Sequence, residues 1–200
     1  MLTDFQFNAQ RLWRICLKCV YHLDTLDTNY IDSWQKLVDG KPSREPHLAI
    51  AKLLFGTAAQ ESALQWERQR TPTWDGSVGG FSKWQLEKES IQRSLSDLST
   101  RQTRLTNATK FLFADSKATT NWINLPLETI LWMLRLNDND YFGVLLCREH
   151  YRRVPVYIPD DLVGQAQYWK TYYNTAAGKG TVDEYIVNWN RYCVPGMQLS

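Results

Sequence analysis

No apolar run in this 200-residue chain approaches the roughly eighteen residues that a membrane-spanning helix requires. Neither charge sign dominates. There are 23 Lys and Arg against 21 Asp and Glu, a net +2 that is too small to argue for nucleic-acid binding by itself. Positive residues gather only in Glu67-Arg68-Gln69-Arg70 and Arg148-Glu149-His150-Tyr151-Arg152-Arg153, and each run contains an acid, which predicts solvated helix faces. Histidine is scarce: His22, His47 and His150 have no metal-ligand spacing. Cysteine occurs four times, at 16, 19, 147 and 193. Cys16 and Cys19 are spaced like metal ligands but have no partner pair, and three apart on a helix they share a face with Leu12 and Val20, which predicts burial. Neither a metal nor a cofactor is expected. The first residues, Met1 to Phe5, show no basic start followed by an apolar run, so no signal peptide is expected either. There is no internal repeat and no low-complexity tract.

Aromatic residues are abundant. Nine Trp, ten Tyr and seven Phe make 13% of the chain, enough to build a core from large rings and also to line a groove for ring-shaped ligands. Helical periodicity runs through most of the sequence. It predicts helices over Phe7 to Leu23, Asn29 to Val38, Asn121 to Leu136, Asp140 to Val154, Asp160 to Tyr173 and Thr181 to Tyr192. The helix opened by Pro46 is apolar on nearly every side, with Leu48, Ile50, Ala51, Leu53, Leu54, Phe55 and Ala58, which marks it as central, and Glu61 falls near its end. Thr71 to Gly80 is the longest breaker-rich stretch. From Ser82 through Glu87 and Ile91 helix is expected again, then a polar segment from Ser94 to Asn107. The expectation is a mainly α single domain over residues 1–200, its core at about 46–190, with a helical extension over 1–45 and a short loop or small β element around 71–82.

Glu61 is the residue that points to chemistry. A carboxyl on an apolar helix is costly to ionise, so burial raises its pKa and keeps it protonated near neutrality, as a general acid must be. The alternative is a solvent-facing Glu61 paired with Arg68 or Arg70. Gly178-Lys179-Gly180-Thr181 has a phosphate-loop flavour but lacks the leading glycine and preceding strand.

The segments Gln60-Glu61-Ser62 and Gly79-Gly80-Phe81-Ser82-Lys83-Trp84-Gln85 resemble the lytic transglycosylase and goose-type lysozyme superfamily. Its members carry Glu-Ser on a central helix and then a Gly-x-x-Gly-Leu-Met-Gln segment. Gly79 and Gln85 match the first glycine and the glutamine, Ser82 stands where the second glycine is expected, and Lys83-Trp84 replace Leu-Met. Tyr173-Asn174, followed by Thr175-Ala176-Ala177-Gly178, is similar to the family's Ala-Tyr-Asn-Ala-Gly segment with the glycine displaced. The resemblance implies a lysozyme-like fold and peptidoglycan as substrate. It makes Glu61 the acid on the bond between N-acetylmuramic acid and N-acetylglucosamine, with Tyr173 supporting it. Ser62, Gln85 and Asn174 are then substrate-side residues, and Trp74 and Trp84, with Trp66, candidates to stack on sugar rings. Asp75 and Glu87 occupy the positions of the goose-type acids that activate water for inverting hydrolysis. If they point elsewhere, an anhydro-forming cleavage is implied. Turn chemistry at Asp75-Gly76 and an exposed Glu87 paired with Lys83 are the structural alternatives.

The run from Tyr168 to Glu184 also looks like small lysozyme-like phage proteins. This implies a chain carried in the virion or held in host cytoplasm before release, acting in the bacterial cell wall, with glycan strands and other virion proteins as partners. The alternatives are a catalytically inactive virion structural or adaptor protein of the same fold, and an interaction module with an accidental Glu-Ser match.

Overall fold

A computed structural model of the chain describes residues 3–25, 46–65, 80–113, 120–136, 139–176 and 178–198. The protein is a mainly α-helical single domain, and the described residues contain no strand. The helix expected at Asn29 to Val38 and most of the Thr71 to Gly80 loop lie outside the described residues.

Helix α1 (Asp4–Val20) starts at a capping box in which Thr3 and Gln6 satisfy each other's backbone N–H. Its apolar face buries Ala9, Leu12, Trp13, Ile15, Cys16, Cys19 and Val20. This helix is no extension. It packs on the central helix α2 (Pro46–Ser62), on α6 (Asp140–Arg152) and on α9 (Val194–Met197), so its stripe completes the common core. Cys16 and Cys19 are buried free thiols in that stripe, as their shared face predicts.

Helix α2 is central as expected: Ala51, Leu53, Leu54, Phe55 and Ala58 are fully buried. Gly56 lets α8 (Val182–Asn188) approach it, because a Cβ there would sit 2.0 Å from the Tyr185 hydroxyl. The polar stretch after Ser94 is helical. It belongs to α3 (Lys88–Ser99) and α4 (Gln102–Phe113), which break only around Thr100-Arg101. Most of its polar residues line the outer faces, while Leu95, Leu98, Leu105, Ala108 and Phe111 point inward and Ser94, Arg104 and Asn107 are buried with them. A 3₁₀ turn (Thr120–Asn124) and α5 (Leu127–Leu136) lead to α6, and α7 (Leu162–Trp169) follows the Pro155 and Pro159 break.

Helix does not resume at Ser82. Residues 81–86 form a tight turn closed by Phe81 and Leu86, which exchange two backbone hydrogen bonds of 2.9 Å, and α3 begins only at Lys88. Three helices run on into π turns: Tyr21–Thr25 after α1, Lys170–Asn174 after α7 and Trp189–Cys193 after α8.

The Arg148 to Arg153 run is not a solvated face. Arg148 and Glu149 are buried with Asp24 and Arg104 in one charge network. Arg148 donates to both Asp24 oxygens, at 2.8 and 3.0 Å. Arg104 donates to Asp24 Oδ1 at 3.2 Å and to Glu149 Oε1 at 2.6 Å. The network fastens the first π turn to α4 and α6, and the arginines hold the Asp24 pKa below its ordinary value against the opposing effect of burial. Lys83 likewise pairs at 2.9 Å with the buried Asp140, which Arg11 also meets.

Candidate active site

Helix α2 ends just beyond Glu61, where Ala63 and Leu64 turn left-handed (φ 51° and 60°). Glu61 keeps some exposure while most of its carboxyl is enclosed. The indole Nε1–H of Trp169, the last residue of α7, donates to Glu61 Oε1 at 2.9 Å. Burial pushes the Glu61 carboxyl up to about 7, and the indole bond opposes that rise by favouring the ionised form. A group near this value holds a proton at neutrality and can also release it, which is what general acid catalysis requires. One helical turn earlier, the Thr57 hydroxyl lies 2.7 Å from the Tyr151 hydroxyl, so α2 and α6 are also joined beside the acid.

Tyr173 reaches the same region from the π turn after α7. Its hydroxyl donates to the Trp84 carbonyl at 2.5 Å. Its ring packs against His150 and Tyr151, with centroids 4.9 and 5.3 Å away. Burial raises the Tyr173 pKa well above the usual value, and Cys147 and Glu61 add to the rise.

The turn at 81–86 supplies the third side. Ser82, where a glycine is expected from the resemblance, has φ 62°, and Gln85 has φ 49°. The backbone thus adopts at Ser82 the left-handed conformation that glycine favours, at a cost of about 1–2 kcal/mol for a residue with a Cβ. Gly80 could not carry a side chain, because its Cβ would lie 2.6 Å from the Gln85 carbonyl oxygen. Trp84 ties the turn down by donating its indole N–H to the Leu54 carbonyl at 2.7 Å. Trp169 thus reaches the end of α2 at Glu61, the 81–86 turn is fastened to the middle of α2 at Leu54, and Tyr173 bonds to that turn.

Not every expected residue serves as expected. Trp84 has no exposed surface, so its ring is core and offers no face to a sugar. Ser62 is buried and donates to the Ala58 carbonyl at 2.9 Å, one turn back, so it does not orient Glu61. Gln85 donates to the Ser82 carbonyl at 2.7 Å and braces its own turn. Glu87 is exposed at the N-cap of α3 and makes no capping bond there. The Lys83 proposed for it pairs with Asp140 instead. Asn174 accepts from Lys170 at 2.7 Å. Trp66, Trp74, Asp75 and Gly79, and the Arg68 and Arg70 proposed as partners of Glu61, lie outside the described residues.

Trp169 went unrecognised in the sequence because it stands in the aromatic run Tyr168-Trp169-Tyr172, where packing explains any one ring. Its far edge packs on Gly180, where a Cβ would lie 2.6 Å from the ring. Beyond Gly180 an open groove of about 530 Å³ is lined by Gln60, Lys179, Asp183, Glu184 and Asn188, with Asn188 donating to Gln60 at 2.8 Å. Among the described residues no cluster of three or more His, Cys, Asp or Glu is placed to hold a metal ion.

Comparison with protein-family models, curated proteins and solved structures returns no match to this chain. The geometry makes its own prediction. Trp169→Phe keeps an aromatic ring but removes the donor, so the Glu61 midpoint is expected to rise above about 7. Carbon-13 NMR titration of labelled glutamate reads this directly, and an unmoved or lowered midpoint would show that the indole does not act on the carboxyl.

Proposed function

We propose that the protein is a peptidoglycan-cleaving glycosidase, a lytic transglycosylase or muramidase of lysozyme-like fold, with Glu61 as general acid. The observation that carries this reading is the Glu61 carboxyl, raised to about 7 by burial and held by Trp169, the last residue before the π turn that carries Tyr173 onto the 81–86 turn. Glu61 protonates the glycosidic oxygen between N-acetylmuramic acid and N-acetylglucosamine as the C1–O bond breaks. In the anhydro-forming route the muramic acid 6-hydroxyl then attacks C1 and its proton passes to the Glu61 carboxylate. In the hydrolytic route water takes that place, activated by a second carboxylate, for which Asp75 remains the candidate. Glu87 at the start of α3 has no described contact with Glu61, which favours the anhydro-forming route over one that uses both acids. The glycan strand is the partner on this reading, and a phage particle or host-cell lysis is the means by which the protein reaches the wall.

A second reading, an inactive virion structural or adaptor protein of the same fold, is favoured by one observation. The hydroxyls of Ser62 and Tyr173 and the amide nitrogen of Gln85 all donate to internal backbone carbonyls. Digestion of purified peptidoglycan by wild type and Glu61→Gln separates the two. Soluble muropeptides from wild type alone, with the mass of anhydro ends, are the expected result. Products with reducing ends would select the hydrolytic route. No release by folded wild type would reject the glycosidase and leave the structural reading.

A further inference from the structure

We propose that His150 is a positioning residue for Tyr173, locked as the neutral Nε2–H tautomer by Ser90 and Arg153, and that it thereby sets the environment of Glu61; this rests on the glycosidase reading above. His150 Nε2 lies 3.1 Å from the Tyr172 carbonyl oxygen. A carbonyl only accepts, so Nε2 carries the ring proton and Nδ1 presents its lone pair. That lone pair meets the Ser90 hydroxyl at 2.7 Å and Arg153 Nη2 at 3.0 Å. Arg153 is itself anchored to α3, at 3.2 Å from the Ser94 hydroxyl and 3.9 Å from Asp97. Protonating Nδ1 would remove its acceptor and set a second positive charge against Arg153. Burial, together with that charge and against the Tyr172 bond, accordingly draws the His150 pKa down to about 4.

The ring so fixed acts twice on the π turn that carries Tyr173. Nε2–H holds the Tyr172 carbonyl, and the ring edge packs on Tyr173 at 63° between planes. Tyr151 completes a three-ring cluster with them, its centroid 5.3 Å from Tyr173 and 5.7 Å from His150. The Tyr173 hydroxyl is thus directed to the Trp84 carbonyl from a turn whose own ladder is irregular. A side chain that only filled the space would leave the Tyr172 carbonyl without this donor. Displacements of about 1 Å in positioning groups cost on the order of 100-fold in rate.

The test compares His150→Gln, whose amide nitrogen reaches toward the Nε2 position, with His150→Asn, whose amide stops short of it. In His150→Asn, kcat on peptidoglycan is expected to fall about 10- to 100-fold with KM little changed, and the Glu61 titration midpoint should move as water enters beside it. His150→Gln is expected to restore most of kcat and the wild-type midpoint. The proposal is overturned if Asn leaves both quantities at wild-type values, or if Gln loses as much as Asn. Nitrogen-15 NMR of wild-type His150 provides a measurement that needs no variant. A neutral Nε2–H ring at about pH 6 is expected, and a protonated or Nδ1–H ring overturns the proposal. Wild type that cleaves nothing would reject the glycosidase alone, since the Glu61 midpoint and the His150 tautomer still decide the positioning role.

Discussion

Asp24→Asn is expected to cost about 3–5 kcal/mol of folding stability, the range found when one partner is removed from a buried ion pair. Asp24 is the shared acceptor of Arg104 and Arg148, and all three side chains are within 1% of full burial. Its substitution leaves two guanidinium groups facing each other with only Glu149 to balance them. The amide can still accept one hydrogen bond, but it supplies no charge, so the repulsion between the arginines is unrelieved. Urea unfolding should show a lower midpoint with an unchanged slope, because the folded state stays compact. A loss below about 1 kcal/mol would mean that water already solvates the cluster. The pH dependence has a defined sign. The folded-state pKa of Asp24 is depressed, so the network stabilises the fold above the ordinary carboxyl pKa, and that stability is lost as pH falls through the folded value.

The burial of this network is not legible in the sequence. The central helix was legible because apolar residues on nearly every side of Pro46 to Ala58 leave it little solvent face. The α1 stripe and the burial of Cys16 and Cys19 followed from spacing alone. Arg148 and Glu149 read as surface residues because charge is almost always solvated, and their burial depends on partners 45 and more residues away that periodicity does not pair. The Ser82 to Glu87 segment has helix-compatible residues, yet it is held as a turn by long-range contacts: Trp84 to Leu54, Tyr173 to Trp84 and Lys83 to Asp140. The same contacts consumed Trp84 as core. At the site, Glu61 stood out because a carboxyl near the end of an apolar helix is unusual. Trp169 and His150 did not, since an indole in an aromatic run and a lone histidine carry no local signature of their partners.

Glu61→Gln should abolish cleavage and, above neutral pH, make the protein more stable. In the folded state the Glu61 pKa is raised from 4.5 to about 7. The folded protein therefore binds more protons than the unfolded chain between these values, and stability falls as pH rises through that window. At full ionisation the penalty is about 3 kcal/mol, because each tenfold change in proton affinity is worth about 1.4 kcal/mol. Glutamine has the same length and keeps an oxygen to accept the Trp169 N–H, so the packing contact survives while the ionisation penalty disappears. Its added N–H groups must be solvated or paired, which offsets part of the gain. The variant should therefore exceed wild type by about 2 kcal/mol at about pH 8 and fall below it by about 1 kcal/mol at about pH 4, where the wild-type carboxyl is mostly neutral in both states and only the cost of the added N–H groups remains. Chemical denaturation at the two pH values measures the difference. A gap that does not change with pH would show that Glu61 ionises as freely in the folded protein as in water. A variant less stable than wild type at both values would make Glu61 a structural hydrogen-bonding residue. Stability gained by removing the acid, together with activity lost, is the signature of a group kept in an unfavourable environment for its chemistry.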